Sequence, residues 1–246
     1  MKAHNKINNL EQISCVIAAA GKGTRAKLNY PKCLYMVKGK VILGRLFDIL
    51  PKECSATIIV SNDGEEKIKS YLQANQIKAG ILIQEKQNGM GGAILSLESI
   101  SHSLKDHILL AWGDLPYISK DTIDRLIAHH FLQENDFSLV TSHTDQAYTV
   151  VERNKNSKVV RVIESREHPN LKVQRGERDI GIFLFKKDIV FEFLKRDLPN
   201  KFGKQTKEHG FLYIIEHLVG DGFKVGTVES SNPKETISFN SISDLT

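Results

Sequence analysis

Apolar positions in this chain fall into short runs separated by longer amphipathic stretches. Cys15 to Ala20 is an unbroken apolar run and predicts a strand buried on both faces. Val41 to Leu50 carries apolar residues at helical spacing and predicts a helix that stops before Pro51, since proline disfavours helix at the residue before it. Thr57 to Val60 is β-branched and predicts a strand; Asp63-Gly64 then turns into a polar helix, Glu65 to Ala74. Ile81 to Ile83 predicts a third strand, Ile94 to Ile100 an apolar helix, and His107 to Trp112 a fourth strand. Asp121 to Glu134 predicts an amphipathic helix with Thr122, Ile123, Leu126, Ile127 and His130 near one face. His129 and His130 are expected at the surface or half-buried. From Phe137 the pattern alternates, over Phe137 to Ser142, Tyr148 to Arg153 and Val159 to Ile163. Strands alternating with helices predict an α/β fold with a parallel sheet, followed by a β-rich half. Ser165 to Arg178 is polar and charged and is expected to form a loop over a cleft.

Composition narrows the function. With 246 residues and 41% apolar content, the chain can bury one large core. The net charge of +5 is mild and mixed along the chain, which suits small anionic substrates. No basic run interleaved with aromatics argues for nucleic acid. Cys15, Cys33 and Cys54 are scattered without a C-x-x-C, so neither a disulfide framework nor a zinc site is expected. Met1 to Gln12 is polar, and no apolar run approaches the roughly 20 residues of a membrane helix. A cytoplasmic protein without membrane or nucleic-acid partners is expected; oligomeric state is not indicated.

The first candidate site follows the first strand. Ala19 and Ala20 run into Gly21-Lys22-Gly23-Thr24-Arg25, where two glycines let the backbone turn and bring N–H groups to an anion. Arg25 and Lys32 add positive charge. The string is no Walker A loop, and it lacks the third glycine of a dinucleotide fingerprint. A second glycine loop, Gln84-Glu85-Lys86-Gln87-Asn88-Gly89-Met90-Gly91-Gly92-Ala93, opens the apolar helix; its glycines are expected to leave N–H groups directed at a ligand. At the end of the fourth strand, Gly113-Asp114-Leu115-Pro116 puts a carboxylate at the same sheet edge as the first loop.

Ala18-Ala19-Ala20-Gly21-Lys22-Gly23-Thr24-Arg25 followed by Pro31-Lys32-Cys33-Leu34 resembles the sugar-nucleotidyltransferase family, whose signature reads A-A-G-x-G-T-R and then P-K-x-L, and departs from it at Ala26. Gln84, Gly89, Gly91 and Ala93 resemble that family's second motif, with Met90 in place of its threonine, and Asp114 its G-D-x-P aspartate. The resemblance is to the uridylyltransferase members above all. It implies a Rossmann-like (GT-A-like) fold: a mixed, mostly parallel central sheet flanked by helices, with a β-rich sugar-binding lobe. A single domain covering 1–246 is expected, with a nucleotide lobe over about 12–120, a sugar lobe over about 137–230 and a C-terminal return at 231–246. The implied activity is Mg²⁺-dependent formation of a nucleotide-sugar and pyrophosphate from UTP and a sugar 1-phosphate. Arg25, Lys32 and Asp114 would be catalytic, and Ala19 to Arg25, Gln84, Gly89 and Met90 would hold the nucleotide. Gly113, Glu164 and Asp179 would face the sugar, and Asp114 and Asn240 would bind Mg²⁺. The acceptor side departs from the family: Asp179 replaces an asparagine, Ala147-Tyr148-Thr149-Val150 a G-Y-G-R turn, and Gly210-Phe211-Leu212-Tyr213 has lost a glutamate. The acceptor therefore need not be N-acetylglucosamine 1-phosphate. A cytidylyltransferase for a small phosphorylated alcohol such as phosphocholine, or a non-catalytic nucleotide-binding relative, are the alternative readings. Bifunctional bacterial members continue into hexapeptide repeats; the 246 residues contain none.

Overall fold

The computed structural model describes residues 9–21, 28–145, 148–168, 175–230 and 232–245. In chain order, β1 (Ile13–Ala18) is followed by a small hairpin, β2 (Met36–Val37) and β3 (Lys40–Val41), and by α1 (Ile42–Ile49). β4 (Ser55–Val60), α2 (Glu65–Ala74), β5 (Gly80–Ile83) and α3 (Met90–Ser96) come next. β6 (His107–Trp112) and α4 (Lys120–Leu132) lead to β7 (Phe137–Thr144), β8 (Thr149–Arg153), β9 (Val159–Glu164) and β10 (Gly176–Lys186). α5 (Lys187–Lys195), α6 (Ile214–Gly220) and β11 (Val225–Glu229) follow.

Seven strands form one sheet in the order β11-β7-β10-β6-β1-β4-β5. All neighbours are parallel except around β10, which runs antiparallel to both β6 and β7. Much of the β-rich half therefore joins the central sheet: β7, β10 and β11 complete it, and the β8–β9 hairpin stands apart. The reason lies in β10, whose buried Ile180, Ile182 and Leu184 serve one face of the sheet and Phe183 and Phe185 the other. β1 divides in the same way. Ile13, Cys15 and Ile17 pack toward the face covered by α1, α2 and α4, and Val16 toward the face covered by α3, α5 and α6. A strand buried on both faces reads as an unbroken apolar run.

The Ile94 to Ile100 helix appears as α3 followed by a 3-10 stretch from Leu97 to Ser103, kinked at Ile100. Within the expected loop Ser165 to Glu167 forms a 3-10 turn and β10 already begins at Gly176, while residues 169–174 lie outside the described residues.

His130 corrects the expectation of a surface or half-buried histidine. It is fully buried, with its Nε2 3.0 Å from His107 Nδ1 and its Nδ1 2.8 Å from Ser138 Oγ. Burial, then the neighbouring His107 and Lys186, lowers its pKa to about 3; burial also lowers that of His107. Asp136 pulls the other way on both, too weakly to offset burial. The folded pair stays neutral where the unfolded chain takes up protons. The stability contribution of His130 is therefore complete above about pH 6.5 and is lost as pH falls toward 3. Thermal melts between pH 7.5 and 4.5 should show a falling Tm, with a slope approaching about 1.4 kcal/mol per pH unit from His130. His130→Gln should flatten that slope; an unchanged slope would disprove the assignment.

Candidate active site

The carboxyl ends of β1, β4, β5 and β6 lie along one edge of the sheet, and the amino end of antiparallel β10 joins them there. From β1 the chain proceeds outward to β4 and β5 on one side and reaches β6 and β10 on the other. The crevice at such a switch point is where open α/β sheets bind ligands. Ala19 to Gly21 leave β1 here, and Gly113-Asp114 leave β6. Gly113 N–H donates to Ala18 O (2.9 Å), and a Cβ on Gly113 would meet Ala18 O and Ala19 Cβ at 3.0 Å. Close packing of the two strand ends therefore favours glycine at 113, since a larger residue would push them apart by a few tenths of an ångström. Of the expected phosphate loop, Lys22, Gly23, Thr24 and Arg25 lie outside the described residues.

Three residues distant in sequence converge at the crevice. Lys32 opens a 3-10 turn behind Pro31. Its Nζ donates to Asn240 Oδ1 (2.9 Å) and lies 3.7 Å from Asp114 Oδ2. Asn240 arrives through the C-terminal return. Phe239 is fully buried, stacks on Tyr35 (4.3 Å between ring centroids), and donates its N–H to Asp114 O (2.8 Å). Asp244 Oδ2 accepts the N–H groups of Asn240 (2.7 Å) and Ser241 (2.6 Å). Asp244 was not among the expected site residues, although Ser241-x-x-Asp244 fits the capping-box spacing that could have flagged it.

Glu235 anchors the same return segment. Its buried carboxylate accepts Ser119 N–H (2.8 Å) and the hydroxyls of Thr122 (2.8 Å to Oε2) and Ser230. Ser119 is the N-cap of α4, so the carboxylate also sits at the positive end of a helix. Glu235→Ala would leave buried donors without their acceptor and should cost about 3 kcal/mol of stability, read as a lower Tm. A change within 0.5 kcal/mol (about the scatter of surface substitutions) would show that the carboxylate is not the anchor.

The second glycine loop is built differently from expectation. Gly91 N–H is spent on His209 O (3.0 Å), and His209 N–H donates to Asn88 O (2.6 Å). A Cβ on Gly91 would stand 2.0 Å from Gly210 O and 2.8 Å from the His209 ring. Gly89 has φ +108° and ψ −179°, a region open essentially to glycine alone, and a Cβ there would meet His209 O at 2.5 Å. These two glycines thus serve chain-on-chain packing against residues 208–210. Burial lowers the pKa of the clamping His209 to about 4, which keeps it neutral. The Gln84 side chain is buried; its Nε2 donates to Gly89 O (3.2 Å) and lies 3.4 Å from Asn88 Oδ1. Those contacts fix the amide's orientation and leave Oε1 without a partner among the described residues. Met90 opens α3 beside it, partly buried.

The residues expected on the acceptor side gather at the amino end of β10. Asp179 is buried, with Oδ1 accepting Thr149 Oγ1–H (2.6 Å) and Oδ2 accepting Gly181 N–H (3.0 Å). Both oxygens thereby hold β8 and the Gly181 turn, where φ is +81° and a Cβ would strike Trp112 at 2.3 Å. Burial pushes the Asp179 carboxyl up, against the pull of Thr149. Burial likewise raises that of Glu164, against the pull of Arg166, whose Nε is 2.8 Å away. Arg178 was not among the expected site residues. Its guanidinium lies 3.6 Å from the Tyr148 ring centroid, and its Nε donates to Asp179 O (3.0 Å).

The comparisons with known proteins bear on the family and the fold. Residues 15–184 match the MobA-like NTP transferase domain family. The chain is 34% identical over 238 residues to the bifunctional protein GlmU of Buchnera aphidicola subsp. Schizaphis graminum, covering 94% of this chain and 49% of that protein. It is 28% identical over 231 residues to GlmU of Exiguobacterium sibiricum, covering 92% and 49%. The chain thus spans about half the length of these relatives. In fold it is similar to a Bacillus anthracis protein assigned as a glucose-1-phosphate thymidylyltransferase, with TM-score 0.72 and 19% identity over 89% of this chain and 87% of that one. An Entamoeba histolytica protein assigned as a UDP-N-acetylglucosamine pyrophosphorylase gives TM-score 0.68 and 14% identity over 94% and 77%. Among the described residues no helix is long and apolar enough to cross a membrane.

Proposed function

Since the chain belongs to the MobA-like NTP transferase family, we propose that it transfers a nucleotidyl group from UTP to a sugar 1-phosphate, forming a UDP-sugar and pyrophosphate. The observation that carries this reading is the meeting of Lys32, Asp114 and Asn240 at the crevice between β1 and β6. An oxygen of the acceptor phosphate forms a bond to the α-phosphorus as the bond to the bridging oxygen breaks, and that electron pair leaves with pyrophosphate. The attacking phosphate is already an anion, so no side chain has to remove a proton. What the chain supplies is position and charge. Lys32 offers its ammonium to the phosphates. By resemblance Arg25 adds a second cation there.

Asp114 and Asn240 suit Mg²⁺. They offer two hard oxygens, a carboxylate and an amide carbonyl, and both already face one cation, the Lys32 ammonium. Bound there, Mg²⁺ would neutralise phosphate charge and polarise the α-phosphate. Among the described residues no group of three or more His, Cys, Asp or Glu side chains could hold a metal. The donor set is therefore the two-ligand kind that leaves positions for water and phosphate.

Gln84 supports uridine. With its NH₂ committed to Gly89 O, the free Oε1 is an acceptor. It matches the N3–H of uracil, whereas N3 of cytosine is itself an acceptor. Pyrophosphate release measured with UTP, dTTP, CTP, ATP and GTP against a panel of sugar phosphates and phosphocholine tests the proposal. Turnover with UTP and a sugar 1-phosphate is expected. Turnover confined to CTP and phosphocholine, or none with any pair, would refute it.

A further inference from the structure

Lys32 holds an unusual position for a residue assigned to phosphate. Its Nζ donates to Asn240 Oδ1 at 2.9 Å and stands 3.7 Å from Asp114 Oδ2, the two oxygens that suit a divalent cation. A point-charge ammonium on a flexible stem can satisfy two such oxygens in place of a metal. The surroundings hold the segments that carry these two oxygens. Asn240 is held by Asp244 through its N–H and by Ser238 through its Nδ2 (3.1 Å), and Asp114 through its carbonyl by Phe239. The Lys32 backbone is fixed by the N–H of Tyr35 donating to Lys32 O (2.9 Å), and the ammonium stands at the end of a four-carbon stem with rotatable bonds. From these contacts we infer that Lys32 is a built-in placeholder cation: it occupies the divalent site in the nucleotide-free protein and is exchanged for the metal when a triphosphate arrives to receive it.

This inference rests on the transfer reading above and adds a coupling to it. A divalent ion binding alone must displace Lys32 and leave the ammonium beside a second, doubly positive charge. A metal arriving with a triphosphate meets no such cost, because the displaced ammonium turns to the phosphates. Metal and nucleotide should therefore strengthen each other's binding, reciprocally as linkage requires. Lys32 would be the element that carries the coupling, and it keeps the two oxygens from taking up free metal without substrate.

The test uses Mn²⁺ alone as probe, with the full chain and no nucleotide, followed by electron paramagnetic resonance of the free ion. Lys32→Met removes the charge and keeps the stem length. It should bind Mn²⁺ about tenfold more tightly than wild type, a change of about 1.4 kcal/mol, even as it loses turnover. Adding a non-hydrolysable UTP analogue should tighten Mn²⁺ binding to wild type by more than it does for the variant. Equal or weaker Mn²⁺ binding by Lys32→Met, or no binding by either protein, overturns the inference. So does a gain that survives in the Lys32→Met, Asp114→Asn double variant, because the metal would then lie elsewhere. Should Lys32→Met fail to fold, Lys32→Gln carries the same comparison. The titration needs no turnover, so it fails independently of the transfer reading, which stands or falls on pyrophosphate release by the wild type.

Discussion

Asp114→Asn is expected to lower pyrophosphate release by about 10²–10³-fold with the fold unchanged. Asparagine keeps the size of the side chain and one carbonyl oxygen but removes the charge that faces Lys32 at 3.7 Å. The backbone contribution of the position survives, because Phe239 N–H bonds the Asp114 carbonyl and not its side chain. The side chain is also partly exposed, and asparagine fills the same volume. Stability should stay within about 0.5 kcal/mol of wild type, as for substitutions outside the core. Steady-state kinetics with UTP and the preferred acceptor, alongside a thermal melt, checks both halves. A variant retaining a third of wild-type kcat would remove Asp114 from the catalytic machinery.

The largest structural effect is expected from Gly91→Ala. A Cβ 2.0 Å from Gly210 O and 2.8 Å from the His209 ring cannot be accommodated by a rotamer change, since the first obstacle is backbone. The loop 88–91 and the segment 208–210 must separate, breaking the bonds from Gly91 N–H to His209 O and from His209 N–H to Asn88 O. Overpacking of this kind costs about 1–3 kcal/mol, occasionally more, and two lost backbone bonds put the variant at the upper end. Because Gln84 bonds Gly89 O and lies near Asn88 Oδ1, the same movement shifts the amide proposed to face the base. A rise in KM for UTP larger than any fall in kcat is therefore expected. Denaturant melts together with the KM measurement check it; a variant as stable as wild type would mean that the two segments are not clamped.

The first half of the fold was legible in the sequence because its elements are locally determined. Glu65 to Ala74 is a helix with the bounds expected, and β1, β4, β5 and β6 fall on the apolar runs. The second half depends on pairings between residues far apart. Nothing local says that Phe183 will lie opposite both Leu110 and Leu139, yet those pairings pull β10 and β7 into the central sheet. Likewise the candidate site was legible where a residue's chemistry is its own, as at Lys32, Asp114 and Asn240. It was illegible where the role depends on a neighbour. Gly91 looks like an anion cradle until residues 208–210 are seen against it, and His130 looks like a polar residue on an amphipathic helix until His107 and Ser138 enclose it. Nothing local to Asp179 says that Thr149 and Gly181 will each bond one of its oxygens.

The C-terminal return has a consequence for how the protein matures on the ribosome. The last strand of the sheet, β11, ends at Glu229, whereas Glu235, Phe239 and Asn240 come afterwards. Chains emerge from their amino ends first, so the sheet and the Gln84 loop can be complete while Lys32 and Asp114 still lack their third partner. A nascent chain would then present the wall proposed to bind the base without the centre proposed to act on the triphosphate. Chemistry would begin only once the final dozen or so described residues had wrapped across the sheet edge, which makes that strap the step at which a folded chain becomes a competent one.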